Sequence, residues 1–431
     1  MTEYVPAIVA VAITAFAVVS KRLGHSVVTG TMLFTALGLV VGPEVLDLVD
    51  FSGLIGQPEF VSLVLTGALV VVLFTDASAI NASNWSEDVI PARLLGIGLP
   101  LAILFGWVAA LALLGNLELW EAATLGAMLA PTDAALGKAV VSNQRVPARI
   151  RQALNIESGL NDGIALPFFI VFLETARAAE ASNAVNDLAV ELVKQVGIAL
   201  AVGIVVGAAG ARAIRWGRAS GAASPYWLQI GLLSLAVAAY SLAGPLGGSG
   251  FIAAWVAGLV FGRAERSSKD VDDSLPVFAE TTGDLLTMLS FLVFGIYLGP
   301  ALTNLTWQIV VYGVVSLTVV RLVSVALALV GQRTGAATLL YIGWFGPRGL
   351  ATIILTIEIL DNSGLNHANT IATTALFTVG LSVLVHGMTA WWGSNAYADA
   401  VEAHPGGLAE IASPVDVRVP LRSRHPRAPR S

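Results

Sequence analysis

Apolar runs long enough to cross a bilayer, roughly 20 residues each, recur from one end of the chain to the other and are separated by short polar connections. The runs are continuous rather than alternating. Because backbone exposed to lipid must satisfy its own hydrogen bonds in helices or closed barrels, they read as helices. The pattern places spans at 4–20, 26–42, 60–80, 90–114, 120–141, 151–174, 188–211, 225–243, 249–262, 277–298, 307–330, 336–360 and 368–393. The predicted fold is therefore an all-α polytopic membrane protein with about 13 transmembrane helices. Past residue 395 the chain turns polar and Pro-rich. Residues 1–395 read as the membrane domain and 396–431 as a disordered cytoplasmic tail, either simply solvated or touching anionic lipid.

Composition agrees with a lipid environment: 56% of residues are hydrophobic and 12% charged, against about 25% charged in an average soluble domain. The opening stretch MTEYVPAIVAVAITAFAVVS lacks a basic start and a small-residue cleavage site, so it reads as a retained first span rather than a signal peptide. With no cysteine, disulfides and thiolate chemistry are excluded. The net charge of −6 is spread over connections and gives no reason to expect nucleic acid as a partner. Arg and Lys gather in alternate connections: Lys21 and Arg22; Arg145, Arg149 and Arg151; Arg212, Arg215 and Arg218; Arg263, Arg266 and Lys269; Arg333; and the tail. The positive-inside rule then puts the N-terminus outside and the C-terminus in the cytoplasm of a cell-membrane protein.

Several charges fall inside spans: Asp76, Asp133, Glu157, Asp162, Glu280, Arg321, Arg348, and at the margins Asp284 and Glu358. Each costs about 2.5–3.5 kcal/mol at a helix centre on insertion scales, so such residues face a cavity and mark a pathway. In the sixth span, NIESGLNDG places Glu157, Ser158, Asn161 and Asp162 on one helical face. Carboxylate, hydroxyl and amide oxygens are hard donors suited to small hard cations, and the absence of His or Cys argues against zinc or copper. A polar seam that merely joins helices is the structural alternative.

Two spans are interrupted. APTDA holds Pro131, Thr132 and Asp133; FGPRG holds Gly346, Pro347, Arg348 and Gly349. Proline removes a donor and clashes with the preceding turn, so both helices are expected to break there. The two prolines sit at matching depths in spans of opposite direction, the mark of inverted repeats with a midplane site. The break frees carbonyls near Thr132 as cation ligands, and Asp133 offsets the positive end of a half-helix.

In order along the chain, KRL, LFTDASAIN, PTDA, NIESGLNDG, GSGFIAAWVAGLVFG, Arg321 and FGPRG resemble the monovalent cation:proton antiporters, specifically the NhaP-type sodium/hydrogen exchangers, over about residues 5–393. The resemblance implies a core with two crossed, broken helices (the fifth and twelfth spans), a dimerisation domain and a homodimer. It implies no cofactor and no enzymatic activity, Na+ (or Li+ or K+) and H+ being cargo. Asp162 would bind cation or proton, with Ser158, the Thr132 carbonyl and Asp76 helping to hold the ion. Glu157 would pair with Arg348, Asn161 would stabilise the site, and Asp133 would balance the broken helices. Apart from the resemblance, Glu280 and Asp284 near the cytoplasmic end of the tenth span form either an entry funnel or a pair with Arg321, the pair being favoured for Glu280. Ala134 stands where relatives often have proline, and Asp76 where a longer Glu is common, which leaves a water-bridged role open beside direct ligation. The pair Asn161–Asp162, in place of Asp–Asp, implies electroneutral one-for-one exchange.

The expected mechanism is competition at Asp162 by alternating access, because a carboxylate removed from water favours its protonated form while sodium favours the ionised one. The rivals are a cation-coupled symporter of a small organic anion, a channel, and an intramembrane aspartyl protease using Asp133 and Asp162. The symporter would want an unpaired cation at the centre, the channel a continuous polar pore, and nothing beyond two acids supports peptide cleavage. His25, His367 and His386 read as loop or core histidines before pH sensors.

Overall fold

The computed structural model describes residues 5–23, 28–48, 58–80, 89–133, 136, 140, 143–180, 185–266, 275–332, 334–362 and 364–403. His25 and Ala134 lie outside them. Among the described residues every regular element is helical: α1 (Val5–Leu23), α2 (Gly30–Val41), α3 (Pro58–Ala79), α4 (Val89–Leu113), α5 (Leu119–Met128), α6 (Ala148–Glu180) and α7 (Val185–Ala219). They continue with α8 (Pro225–Ala243), α9 (Gly250–Arg266), α10 (Val277–Thr303), α11 (Trp307–Ala328), α12 (Ala336–Trp344), α13 (Leu350–Asn362) and α14 (Ala368–Glu402). Seven of the described helices are long and apolar enough to cross a membrane, making the chain a multi-pass membrane protein. Shorter apolar helices, among them Gly30–Val41 and Leu350–Leu360, accompany them.

The helices associate through small residues, as they must where lipid removes the hydrophobic incentive for helices to meet. Gly203 and Gly207 of α7 lie against Ala253 and Ala257 of α9, while Gly258 and Gly262 on the far side of α9 lie against the backbone of Phe74 and Ser78 in α3. In α2, Gly38 faces Leu292 and Gly295 of α10. Backbones approach closely at these seams, so α3 is held firmly behind the α6 face that carries the site.

Among the described residues, two helices contain a π-turn. In α4 it covers Leu94–Gly98, just before Pro100, whose missing N–H leaves the usual i−4 bond unmade. In α11 it covers Ser316–Val320 and ends at Arg321. One extra residue in a turn rotates the rest of the helix by about 100°, which decides where Arg321 points.

The last helix runs to Glu402, past the expected boundary at 395. Hydropathy marks where lipid ends, not where a helix ends. Here Tyr397 stacks on Tyr341 at 4.1 Å, and Arg145 binds Asp399 (2.5 Å) and Glu402 (3.0 Å), so packing against α12 and the α5–α6 connection continues the helix. Residues 404–431 lie outside the described residues.

Candidate functional site

The α6 face predicted from NIESGLNDG looks inward. Glu157, Ser158 and Asn161 are 3%, 7% and 1% exposed, while Asp162 is half-buried. The Ser158 hydroxyl donates to the Leu154 carbonyl at 2.9 Å and so keeps lone pairs for a ligand. Asn161 donates from Nδ2 to Thr132 Oγ1 at 2.7 Å, tying α6 to the end of α5, and its Oδ1 is buried with no hydrogen-bond partner among the described residues. Behind this face Gly159 packs on Asp76 of α3, and Gly163 lies flat against the Trp255 ring of α9.

Both expected breaks are present, and they meet. Helix α5 stops at Met128 and residues 131–133 are non-helical; α12 stops at Trp344 and α13 resumes at Leu350. The Asp133 N–H donates to the Pro347 carbonyl at 2.8 Å, and the Leu350 N–H donates to Asp133 Oδ2 at 2.7 Å. Asp133 therefore caps α13, adding negative charge where the half-helix is positive. The Thr352 hydroxyl donates to the Met128 carbonyl at 2.8 Å. Two glycines make the approach feasible. A Cβ on Gly349 would collide with the Asp133 carboxylate, and one on Gly346 with Arg321 and Thr132.

Arg348 is fully buried and spans the two breaks, its Nη1 donating to the carbonyls of Ala130 (2.8 Å) and Pro131 (2.9 Å). Glu157 is not its partner. Glu157 instead forms a two-pronged pair with Arg321, Nη1–Oε1 at 2.5 Å and Nη2–Oε2 at 2.8 Å, with both side chains almost wholly buried. This corrects two expectations, the Glu157–Arg348 pair and the Glu280–Arg321 pair. The reason is geometric: the π-turn in α11 presents Arg321 to α6, and Arg348, in the non-helical stretch 345–349 between α12 and α13, reaches the α5 carbonyls instead. Glu280 is buried in the first turn of α10. Glu358, expected inside a span, is exposed near the end of α13.

No hydrogen bond or ion pair holds the Asp162 carboxylate among the described residues, although Asp133, Asp76 and Arg348 lie within its electrostatic reach. The structure thus brings Asp162, Ser158, Asn161, Thr132, Asp133, Asp76 and Arg348 together around the breaks. On the α6 face the oxygens with spare capacity are the Asp162 carboxylate, the Ser158 hydroxyl and Asn161 Oδ1. Sequence reasoning missed Ser382 of α14 and read His386 only as a core histidine, which its burial bears out, without placing it beside the break. The Arg348 N–H donates to Ser382 Oγ at 2.7 Å, and His386 Nε2 lies 2.9 Å from the Trp344 carbonyl. Their spacing of four within an apolar span was the available signal, since it puts two polar groups on one helical face.

Residues 8–392 match the family profile described as "Sodium/hydrogen exchanger, transmembrane". The chain belongs to this family. Its relatives place it with the NhaP-type monovalent cation:proton antiporters. It is 26% identical over 348 residues to the K(+)/H(+) antiporter NhaP of Alkalimonas amylolytica, covering 79% of this chain and 57% of the relative. To the K(+)/H(+) antiporter NhaP2 of Shewanella sp. (strain ANA-3) it is 25% identical over 387 residues, covering 86% and 62%. The chain therefore spans only about three-fifths of the length of these relatives. Its fold is similar to that of the sodium proton antiporter MjNhaP1 from Methanocaldococcus jannaschii at pH 8, with a TM-score of 0.72 and 21% identity over 92% of this chain and 100% of the other.

Proposed function

We propose that this protein is a secondary antiporter that exchanges a monovalent cation, Na+ or K+, for H+ at Asp162. One observation carries the reading. Of the two acids on the α6 face, Glu157 is neutralised by Arg321 while Asp162 is half-buried, unclamped and next to both helix breaks. A proton or a cation neutralises Asp162, and either occupant lets the core cross. Left bare, the carboxylate imposes a cost of several kcal/mol on that movement. Ser158 and the Thr132 carbonyl complete the ion's shell, and Asp76 contributes directly or through water. Asn161 holds Thr132, and Asp133 balances the broken helices.

One titrating carboxylate swaps one proton for one cation, so exchange is electroneutral. The Glu157–Arg321 pair keeps its zero net charge throughout the cycle, the part sequence reasoning gave to Arg348. In the full proposal thirteen spans form inverted repeats, α5 and α12–α13 cross at the midplane, the N-terminus is outside and the C-terminus cytoplasmic. Two copies form a homodimer in the cell membrane and contribute to pH homeostasis. An organic-anion symporter would need a cation exposed to its cargo, whereas Arg348 is fully buried, and the family match favours cation/proton exchange. The test is Asp162→Asn in everted vesicles. Loss of cation-dependent proton movement is expected, and its survival would refute the assignment.

A further inference from the structure

The histidine of α14 lies level with the break between α12 and α13. Its ring is 2% exposed, and both nitrogens are engaged. Nε2 lies 2.9 Å from the Trp344 carbonyl, and a carbonyl only accepts, so this nitrogen carries the proton. Nδ1 lies 3.1 Å from Ser382 Oγ and 3.1 Å from the Ser382 carbonyl. Only the hydroxyl can donate to it in the neutral ring. Ser382 Oγ in turn accepts the Arg348 backbone N–H at 2.7 Å. The bonds therefore run in a single direction: Arg348 N–H to Ser382 Oγ, Ser382 O–H to Nδ1, and Nε2–H to the carbonyl that ends α12.

A broken helix leaves backbone donors and acceptors that lipid cannot satisfy. Here one serine and one imidazole serve an acceptor before Pro347 and a donor after it. The same face of α14 continues one turn further to Thr389, whose hydroxyl accepts the Trp344 indole N–H at 3.0 Å. Ser382, His386 and Thr389, at spacings of four and three, form a stripe that reads the end of α12. What this stripe fixes is the backbone of Arg348, whose guanidinium holds the carbonyls of Ala130 and Pro131 immediately before Thr132.

We propose that Ser382 and His386 are positioning residues for the cation site: by bridging the gap in α12–α13 they hold Arg348, and through it the α5 break, in the geometry that presents the Thr132 carbonyl to the ion. The proposal rests on the reading that Asp162 and Thr132 bind the cation. It gives α14, which contributes no ligand, control over ligand geometry.

The test uses the full chain reconstituted in liposomes. Ser382→Ala cuts the chain of bonds at its middle. His386→Asn keeps an acceptor where Nδ1 stood but cannot reach Trp344; His386→Gln keeps a donor for Trp344 but loses that acceptor. Removing one such bond is expected to raise the KM for Na+ or K+ about five- to tenfold while kcat changes less than about twofold, a split that general loss of fold does not produce. Nitrogen-15 NMR of the unmutated protein supplies a readout independent of transport, with the His386 resonance assigned by its loss in His386→Gln. The expected tautomer has Nε2 protonated and Nδ1 bare. A ring protonated on Nδ1, or an unchanged KM in Ser382→Ala, would overturn the proposal. Survival of exchange in Asp162→Asn would instead overturn the site reading on which it stands. An inactive Asp162→Asn beside an unaltered KM in Ser382→Ala would overturn the positioning role alone.

Discussion

Glu157 and Asp162 sit little more than one turn apart on the same helix, yet their surroundings differ in kind. Around Glu157 the protein has closed: Arg321 meets it with two short charge-assisted hydrogen bonds, and neither group sees solvent. Around Asp162 the helices part, because α5 and α12 both end before reaching it. The comparison teaches that a buried charge in a membrane helix is not by itself a transport site. A paired charge joins helices, whereas one that is partly accessible and unpaired can change its occupant.

Substitutions can break this contrast, and the largest effect belongs to Asp162. Asp162→Asn is expected to lower vesicle exchange at least about a hundredfold, with the thermal midpoint of the purified protein little changed. Glu157→Gln should do the reverse. Leaving Arg321 buried without its partner costs about 3–5 kcal/mol, read as a lower unfolding midpoint in detergent, and replacing both by Leu and Met should cost less than either change alone. A smaller effect is expected from Asn161→Asp: exchange weakens as the Thr132 tie is lost, but no potential-driven current appears, because Glu157–Arg321 stays neutral. A current in that variant would contradict one-for-one exchange.

The smallest effect belongs to the exposed contact of Arg145 with Glu402 and Asp399. Hydrogen bonds and attraction, from Glu402 first, raise the Arg145 guanidinium above its ordinary value. A raised basic group contributes stability at all pH values below its unfolded value and loses it only above. Arg145→Ala should therefore leave the pH profile of exchange in place.

Much of this arrangement was legible in the sequence. Proline with an adjacent charge marked both breaks, because a missing donor cannot be compensated locally, and the spacing of Glu157, Ser158, Asn161 and Asp162 marked one helical face. Partner choice was not legible. Arg321 and Arg348 both lie in apolar spans, and which of them meets Glu157 depends on a π-turn in α11 and on the non-helical stretch 345–349, whose geometry hydropathy does not register. Nor was the role of Ser382 and His386, since the groups they satisfy belong to another helix. The extension of α14 to Glu402 was hidden because SNAYADAVE is polar, and its helix is held by contacts with Tyr341 and Arg145 rather than by lipid.

The central claim is that a cation and a proton compete for the Asp162 carboxylate. Titration calorimetry of purified protein with NaCl or KCl across a pH series tests it most directly, with proton release measured in buffers of different ionisation heat. The account predicts that below the site's titration point cation affinity falls about tenfold for each unit of acidification, with one proton released per ion bound. A cation affinity indifferent to pH, with no proton released, would contradict it.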